Sequence, residues 1–159
     1  MNTHETYVSL ETAKLLKKAG FDWEIEDRWD YCHPIDRWDL RHWPEKPVNW
    51  NEKERETVYK YEPSVSAPTL AVAQKWFREE KNIAIDIKSD KQGNYDFIVH
   101  RINMVDYTLP SVLCVSACNF YTYEEALEDG IQNALVPLLN DEKRTSLVIS
   151  KDWANLIKI

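Results

Sequence analysis

Residues 66–87, SAPTLAVAQKWFREEKNIAIDI, hold a helix start, a helical period and a change of period in one run. Pro68 suits a first helical turn, where a missing N–H costs nothing and the ring has already set a helical φ. Leu70, Ala73 and Phe77 recur at helical spacing, with Val72 and Trp76 widening the stripe and Gln74, Lys75, Arg78 and Glu79 opposite it. The spacing predicts a helix over 69–81. At Asn82 the period falls to two: Ile83, Ile85 and Ile87 alternate with Ala84, Asp86 and Lys88, so three β-branched side chains share one strand face. A striped helix feeding a one-sided strand predicts that the two pack on each other.

Downstream, the turn-rich SDKQGN with Gly93 predicts an antiparallel hairpin of strands 83–88 and 95–102, with Tyr95, Phe97 and Val99 facing inward. Residues 112–118 read as a third strand, apolar on both faces and therefore expected at the centre of the sheet. Thr122 and Glu125 have capping-box spacing, with Tyr121 placed as a hydrophobic staple. They open a helix over 122–136, striped by Tyr123, Leu127, Ile131, Ala134, Leu135 and Leu138, which Pro137 is expected to kink or end. An edge strand at 147–149 and a short terminal turn capped by Ser150 would follow. Upstream, Ser9 caps a helix over 10–19 that Gly20 closes in the left-handed region, and Phe21 and Trp23 pack back on the domain. The sum is an α+β fold, a single domain over 1–159. Its antiparallel sheet has three to five strands, with two or three helices mainly on one face.

The 159 residues are 43% hydrophobic and 30% charged, which argues against disorder and suits a single core. Only three glycines leave little room for a loop whose backbone closely approaches a phosphate, so P-loop and dinucleotide chemistry is disfavoured. A net charge of -7 repels nucleic acid. No run reaches the roughly 20 apolar residues of a membrane span, and the N-terminus lacks a signal-peptide pattern. Three cysteines, an odd number, fit reduced thiols in a cytoplasmic protein.

Between about 24 and 56 the apolar period disappears, and the segment reads as an extended Trp-rich insertion. A charged run over 52–56 is expected to form a helical turn, ahead of a short strand at 57–61. Inside the insertion, Asp27-Arg28-Trp29-Asp30-x-x-His33-Pro34 recurs nine residues on as Asp36-Arg37-Trp38-Asp39-x-x-His42, then Trp43 and Pro44. One reading is a metal site of a hydrolase using His33, His42, Asp30 and Asp39, since carboxylate and imidazole are competent ligands. Another is a recognition surface: Trp29, Trp38, Trp43 and Trp50 with Arg28 and Arg37 have the composition of interface hot spots, or of a small-ligand or carbohydrate-stacking surface. The third is structural, with Asp and Arg paired locally and each Trp filling a gap.

Other constellations read as structural. Cys114 and Cys118 would share a strand face about 13 Å apart, too far for one metal or a disulfide. His100 has no nucleophile near it in sequence, and Glu124 and Glu125 are explained as helix N-terminal carboxylates.

The order YVSLETAKLLKKAGFDWE, PTLAVAQKWFREEKNIAIDI, a hairpin and YTYEEALEDGIQNAL resembles a group of small proteins of phages and mobile elements from gut Bacteroides-type bacteria. The resemblance covers residues 7–24, 67–102 and 119–136 and implies an accessory protein made inside a bacterial cell, with no catalytic residues to carry over. The expected function is a non-enzymatic interaction module, free of cofactors, that binds a protein partner through the Trp-rich insertion.

Overall fold

The computed structural model describes residues 5–42, 46–52, 55–57, 60–62, 64–102, 112–116 and 119–156; the side chains of His33 and of residues 53–63 and 141–156 lie outside this description. Ser9 caps α1 (Leu10–Lys18), its Oγ accepting the Thr12 N–H at 3.2 Å. Gly20 follows at φ +81°, turning the chain so that Phe21 is buried.

Strands β1 (Asp27–Cys32) and β2 (Arg37–His42) come next, then β3 (Arg55–Thr57), β4 (Lys60–Glu62) and β5 (Ser64–Ser66). After α2 (Leu70–Glu80) the chain runs through β6 (Ile83–Ser89), β7 (Tyr95–Arg101), β8 (Val112–Val115) and α3 (Tyr123–Leu156). The described pairings are all antiparallel. They make one sheet in the order β2-β1-β5, a β3-β4 pair, and a second sheet in the order β6-β7-β8.

The α+β expectation holds, and the stretch at 66–87 behaves as its periods require. Thr69, with Oγ1 accepting the Val72 N–H at 3.3 Å, is the N-cap of α2, so Pro68 sits just ahead of the helix rather than in its first turn. Ala73, Trp76 and Phe77 of α2 and Ile83, Ile85, Phe97 and Val99 of the second sheet are all buried, together with Ile131, Ala134 and Leu135 of α3. Gly130 lets the helix lie close against the sheet: a Cβ there would lie 2.8 Å from Ile85 Cγ2 and 3.3 Å from Phe97 Cγ.

Several expectations are corrected. The segment at 24–56 carries β1, β2 and β3, with β1 and β2 paired over their whole length, Asp27 opposite His42 through to Cys32 opposite Arg37. The strand expected at 57–61 is two short strands, Arg55–Thr57 and Lys60–Glu62, and residues 55–56 are strand rather than a helical turn. Strand β8 spans Val112–Val115 at the sheet edge, with Val112 and Val115 exposed; Ala117 and Cys118 lie outside the described residues.

Helix α3 runs through Pro137 to Leu156, across the expected edge strand and terminal turn. A proline removes one backbone hydrogen bond, costing about 3 kcal/mol. Packing of Ala134 and Leu135 before it, and of Leu138 and Leu139 after it, offsets that cost. The capping box is present in both directions, Thr122 N–H to Glu125 Oε2 at 3.2 Å and Glu125 N–H to Thr122 Oγ1 at 3.1 Å. Tyr121, however, is 84% exposed and staples nothing, and Tyr123 is exposed too. Among the described residues no helix is long and apolar enough to cross a membrane.

Candidate functional site

Strand alternation sorts the repeated DRWD segments into two faces. Arg28 and Asp30 of β1 share a face with Arg37, Asp39 and Arg41 of β2, while Trp29 and Tyr31 share the other with Trp38, Leu40 and His42. Each copy forms the same ion pair along its own strand: Arg28 Nε to Asp30 Oδ1 at 2.7 Å and Arg37 Nε to Asp39 Oδ1 at 2.9 Å. The repeat therefore encodes a local Arg–Asp pair twice.

The two pairs sit in different surroundings. Arg28 and Asp30 are buried; Ser64 Oγ donates to Asp30 at 2.8 Å, and the Trp50 ring lies 4.1 Å from the Arg28 guanidinium carbon. Trp50 is itself buried, its Nε1 donating to the Ile25 carbonyl at 2.9 Å. Arg37 stays exposed, and Arg41 also reaches Asp39, at 3.3 Å. Those cations flank the directly opposed Asp30 and Asp39.

On the other face Trp38 packs 5.6 Å from the Tyr31 ring and lies under Lys14 Nζ at 4.6 Å. His42 Nδ1 is 2.7 Å from Asp27 Oδ1, and Glu26 is 4.0 Å from its other ring nitrogen. The alternation puts His42 on the opposite face from Asp30 and Asp39, so these three cannot converge on one ion. Among the described residues no group of three or more His, Cys, Asp or Glu is placed to hold a metal. The His33 side chain and Trp43 lie outside the described residues. Cys114 is a free, half-buried thiol 3.7 Å from Asn133 Oδ1, and His100 pairs with Asp86 at 2.8 Å.

Of the tryptophans, Trp29 borders a cavity. Its indole is half-buried, Nε1 donating to the Val8 carbonyl at 3.4 Å, and with Leu40 it lines a groove of about 710 Å³ between the first hairpin and α3. Val8, Leu70 and Phe120 complete the apolar lining. The polar lining comes largely from the first turns of α3: Glu124, Glu125, Glu128, Asp129 and Gln132. A smaller cavity of about 220 Å³, with Glu5 and Tyr123, shares Thr6, Leu70 and Glu124 with it.

The acidic wall is held in place from α1. Glu128 Oε1 accepts from Ser9 N–H at 3.1 Å, from Ser9 Oγ at 2.7 Å and from Thr12 Oγ1. Gln132 Nε2 donates to Thr12 Oγ1 at 2.8 Å, and Asn133 Nδ2 to Asp129 Oδ2 at 3.1 Å. Tyr7, also in the lining, has its phenol pKa raised by burial and then by the neighbouring Asp27, to which it hydrogen-bonds. It stays a proton donor and is no base. No lysine, arginine, histidine or cysteine borders the groove among the described residues. The groove thus sets an apolar side against an acidic side.

Glu128 and Asp129 went unread in the sequence, yet a signal existed. Glu124 with Glu128 and Glu125 with Asp129 are like charges one helical turn apart, an arrangement that costs an isolated helix about 0.2–0.5 kcal/mol per pair and calls for a reason. No protein-family model, no curated protein and no solved structure matches this chain.

Proposed function

We propose that this chain is a non-enzymatic protein-interaction module whose partner seats in the groove between β1–β2 and α3. One observation carries the reading: a groove of about 710 Å³ with apolar lining from Trp29, Leu40 and Phe120 opposite four carboxylates, with no histidine, cysteine, lysine or arginine among its described lining residues. Trp29 and Leu40 are then the contacts the Trp-rich segment contributes. Arg28 and Trp50 act beneath the sheet as its buried support, and Arg37 and Trp38 lie outside the groove lining. The setting, an accessory protein of a phage or mobile element acting in the cytoplasm, is supported by the resemblance of residues 7–24, 67–102 and 119–136.

The test compares proteins captured from a bacterial lysate by the wild type, by Leu40→Ser and by Ile35→Ser, an exposed position on the hairpin turn outside the groove. Loss of the same captured protein with Leu40→Ser and its retention with Ile35→Ser is the expected result. Identical capture by all three removes the groove from consideration. The groove's size also falls in the range of small-molecule sites, which favours a small-ligand reading second. Quenching of indole fluorescence by a ligand panel, abolished in Leu40→Ser, would select it.

A further inference from the structure

Resting on the interaction reading above, we infer that the groove's occupant is a basic amphipathic segment of a protein partner, with a large apolar side chain beside Lys or Arg. The apolar half of the argument is the lining: Trp29, Leu40 and Phe120 offer partly exposed hydrophobic surface, and Leu40 stands 37% exposed. Burying that surface rewards an apolar side chain and gives nothing to a purely ionic guest such as a polyamine.

The charged half is the α3 wall. Glu124, Glu125, Glu128 and Asp129 carry four formal negative charges into a lining that holds no cation among the described residues. The protein's own donors reach one oxygen each of Glu125, Glu128 and Asp129. Among the described residues no hydrogen bond or ion pair engages Glu124. The helix dipole stabilises carboxylates only in the first turn, so Glu128 and Asp129 lie beyond its reach.

Glu124 and Glu128, like Glu125 and Asp129, stand one helical turn apart on α3, so the carboxylates form a row whose Cβ atoms repeat about every 6 Å. Lys or Arg at the same spacing on an amphipathic guest matches that row while its apolar stripe meets the hairpin side. The net charge of -7 sets the sign of the partner as well, since it repels anionic lipid and nucleic acid.

The experiment uses the full chain and labelled helical peptides, followed by fluorescence anisotropy. One probe repeats Leu-Lys-Lys-Leu; a second replaces its Lys with Glu, a third its Leu with Ser, and a fourth its Lys with Gln. The Leu/Lys probe is expected to bind best, and to weaken about tenfold in Glu124→Gln/Asp129→Asn, the loss two partly exposed ion pairs carry. Glu52→Gln/Glu79→Gln, which removes the same charge outside the groove, should leave its affinity within about twofold. Leu40→Ser should weaken it as well.

Equal binding of the Lys/Ser probe, or equal loss in the two double variants, would reduce the effect to net charge and overturn the inference. Binding of the Leu/Gln probe as tight as that of Leu/Lys, lost in Leu40→Ser, would overturn the basic partner yet leave the groove as the site. Indifference of every probe to Leu40→Ser would overturn both. The Gln and Asn variants relieve like-charge pairs on α3, so far-UV circular dichroism should report an intact helix in each.

Discussion

The β6–β7 hairpin and the β1–β2 hairpin are both antiparallel and both half-buried, but they bury opposite kinds of side chain. In the first, Ile83, Ile85, Phe97 and Val99 face α2 and α3, and polar residues such as Asp86 and His100 face out. In the second, the most buried side chains of β1 are Arg28 and Asp30, covered by Trp50 and bonded to Ser64, while Trp29 is only partly covered. One hairpin is held by dispersion and area. The other is held by a desolvated ion pair that stays in place because every charge near it is answered. The contrast teaches that burial and apolarity coincide only where the buried face has no ionic alternative.

The sharpest way to break this contrast is to empty the apolar hairpin. Phe97→Ala removes a fully buried ring that packs by Gly130 of α3 and beside the Phe120 ring, and should cost about 3–5 kcal/mol in chemical denaturation. Asp30→Ala should cost about 3 kcal/mol by leaving the Arg28 guanidinium buried without its carboxylate. The companion double variant Arg28→Met/Asp30→Leu should recover most of that. If the single and double variants were equally unstable, the pair would be stabilising through shape and not through charge balance. Asp39→Ala, the same position in the second copy of the repeat, should cost under about 1 kcal/mol, because its partners Arg37 and Arg41 remain in water.

These same residues explain what the sequence revealed and what it hid. The α2–β6 passage was legible because its apolar residues change period at Asn82, and periodicity reports burial wherever the buried face is greasy. The β1–β2 hairpin also alternates, Arg28, Trp29, Asp30, Tyr31, but with charges in the buried slots, so an apolarity pattern sees noise. Its turn hid as well. No glycine marks it; Asp36 takes φ +48°, a left-handed conformation that Asp tolerates better than most side chains. The groove was half visible: Trp29 stood out by type, whereas its acidic wall was absorbed into helix capping, true of Glu125 and insufficient for Glu128 and Asp129. Meeting of the two depends on Ser9 and Thr12 tying α1 to Glu128, a contact across more than a hundred residues that local pattern cannot reveal.

Gly130→Ala probes the apolar side at smaller scale. The added methyl would press Ile85 and Phe97, costing about 1–3 kcal/mol, against a helix-propensity gain near 1 kcal/mol, so a net loss of about 1 kcal/mol is expected. A net gain would mean that α3 slides on the sheet without loss of packing.

The smallest effects separate the hairpins by pH. At the open end of β1–β2, Tyr7 donates to Asp27, and burial followed by that carboxylate raises its pKa above the usual 10.0. A raised value means the folded protein holds the proton that the unfolded chain has begun to release. The contribution is therefore whole below about pH 10 and lost as pH rises through the folded value. Tyr7→Phe should lower stability at neutral pH by about 0.5–1 kcal/mol, the scale of one hydrogen bond, and flatten the alkaline decline.

At the turn of β6–β7, Asp90 accepts from Asn94 Nδ2 at 3.0 Å and from the Asn94 and Gln92 amides at 2.9 and 2.7 Å, which lowers its pKa. The sign reverses: this contribution is present above the ordinary value of 3.8 and is lost as pH falls through the folded one. Residue-resolved amide exchange should then show protection fading first in β1–β2 on the alkaline side and at the β6–β7 turn on the acid side. Simultaneous fading of both hairpins at either extreme would mean that they open as one unit, and that their opposite interiors do not give them separate stabilities.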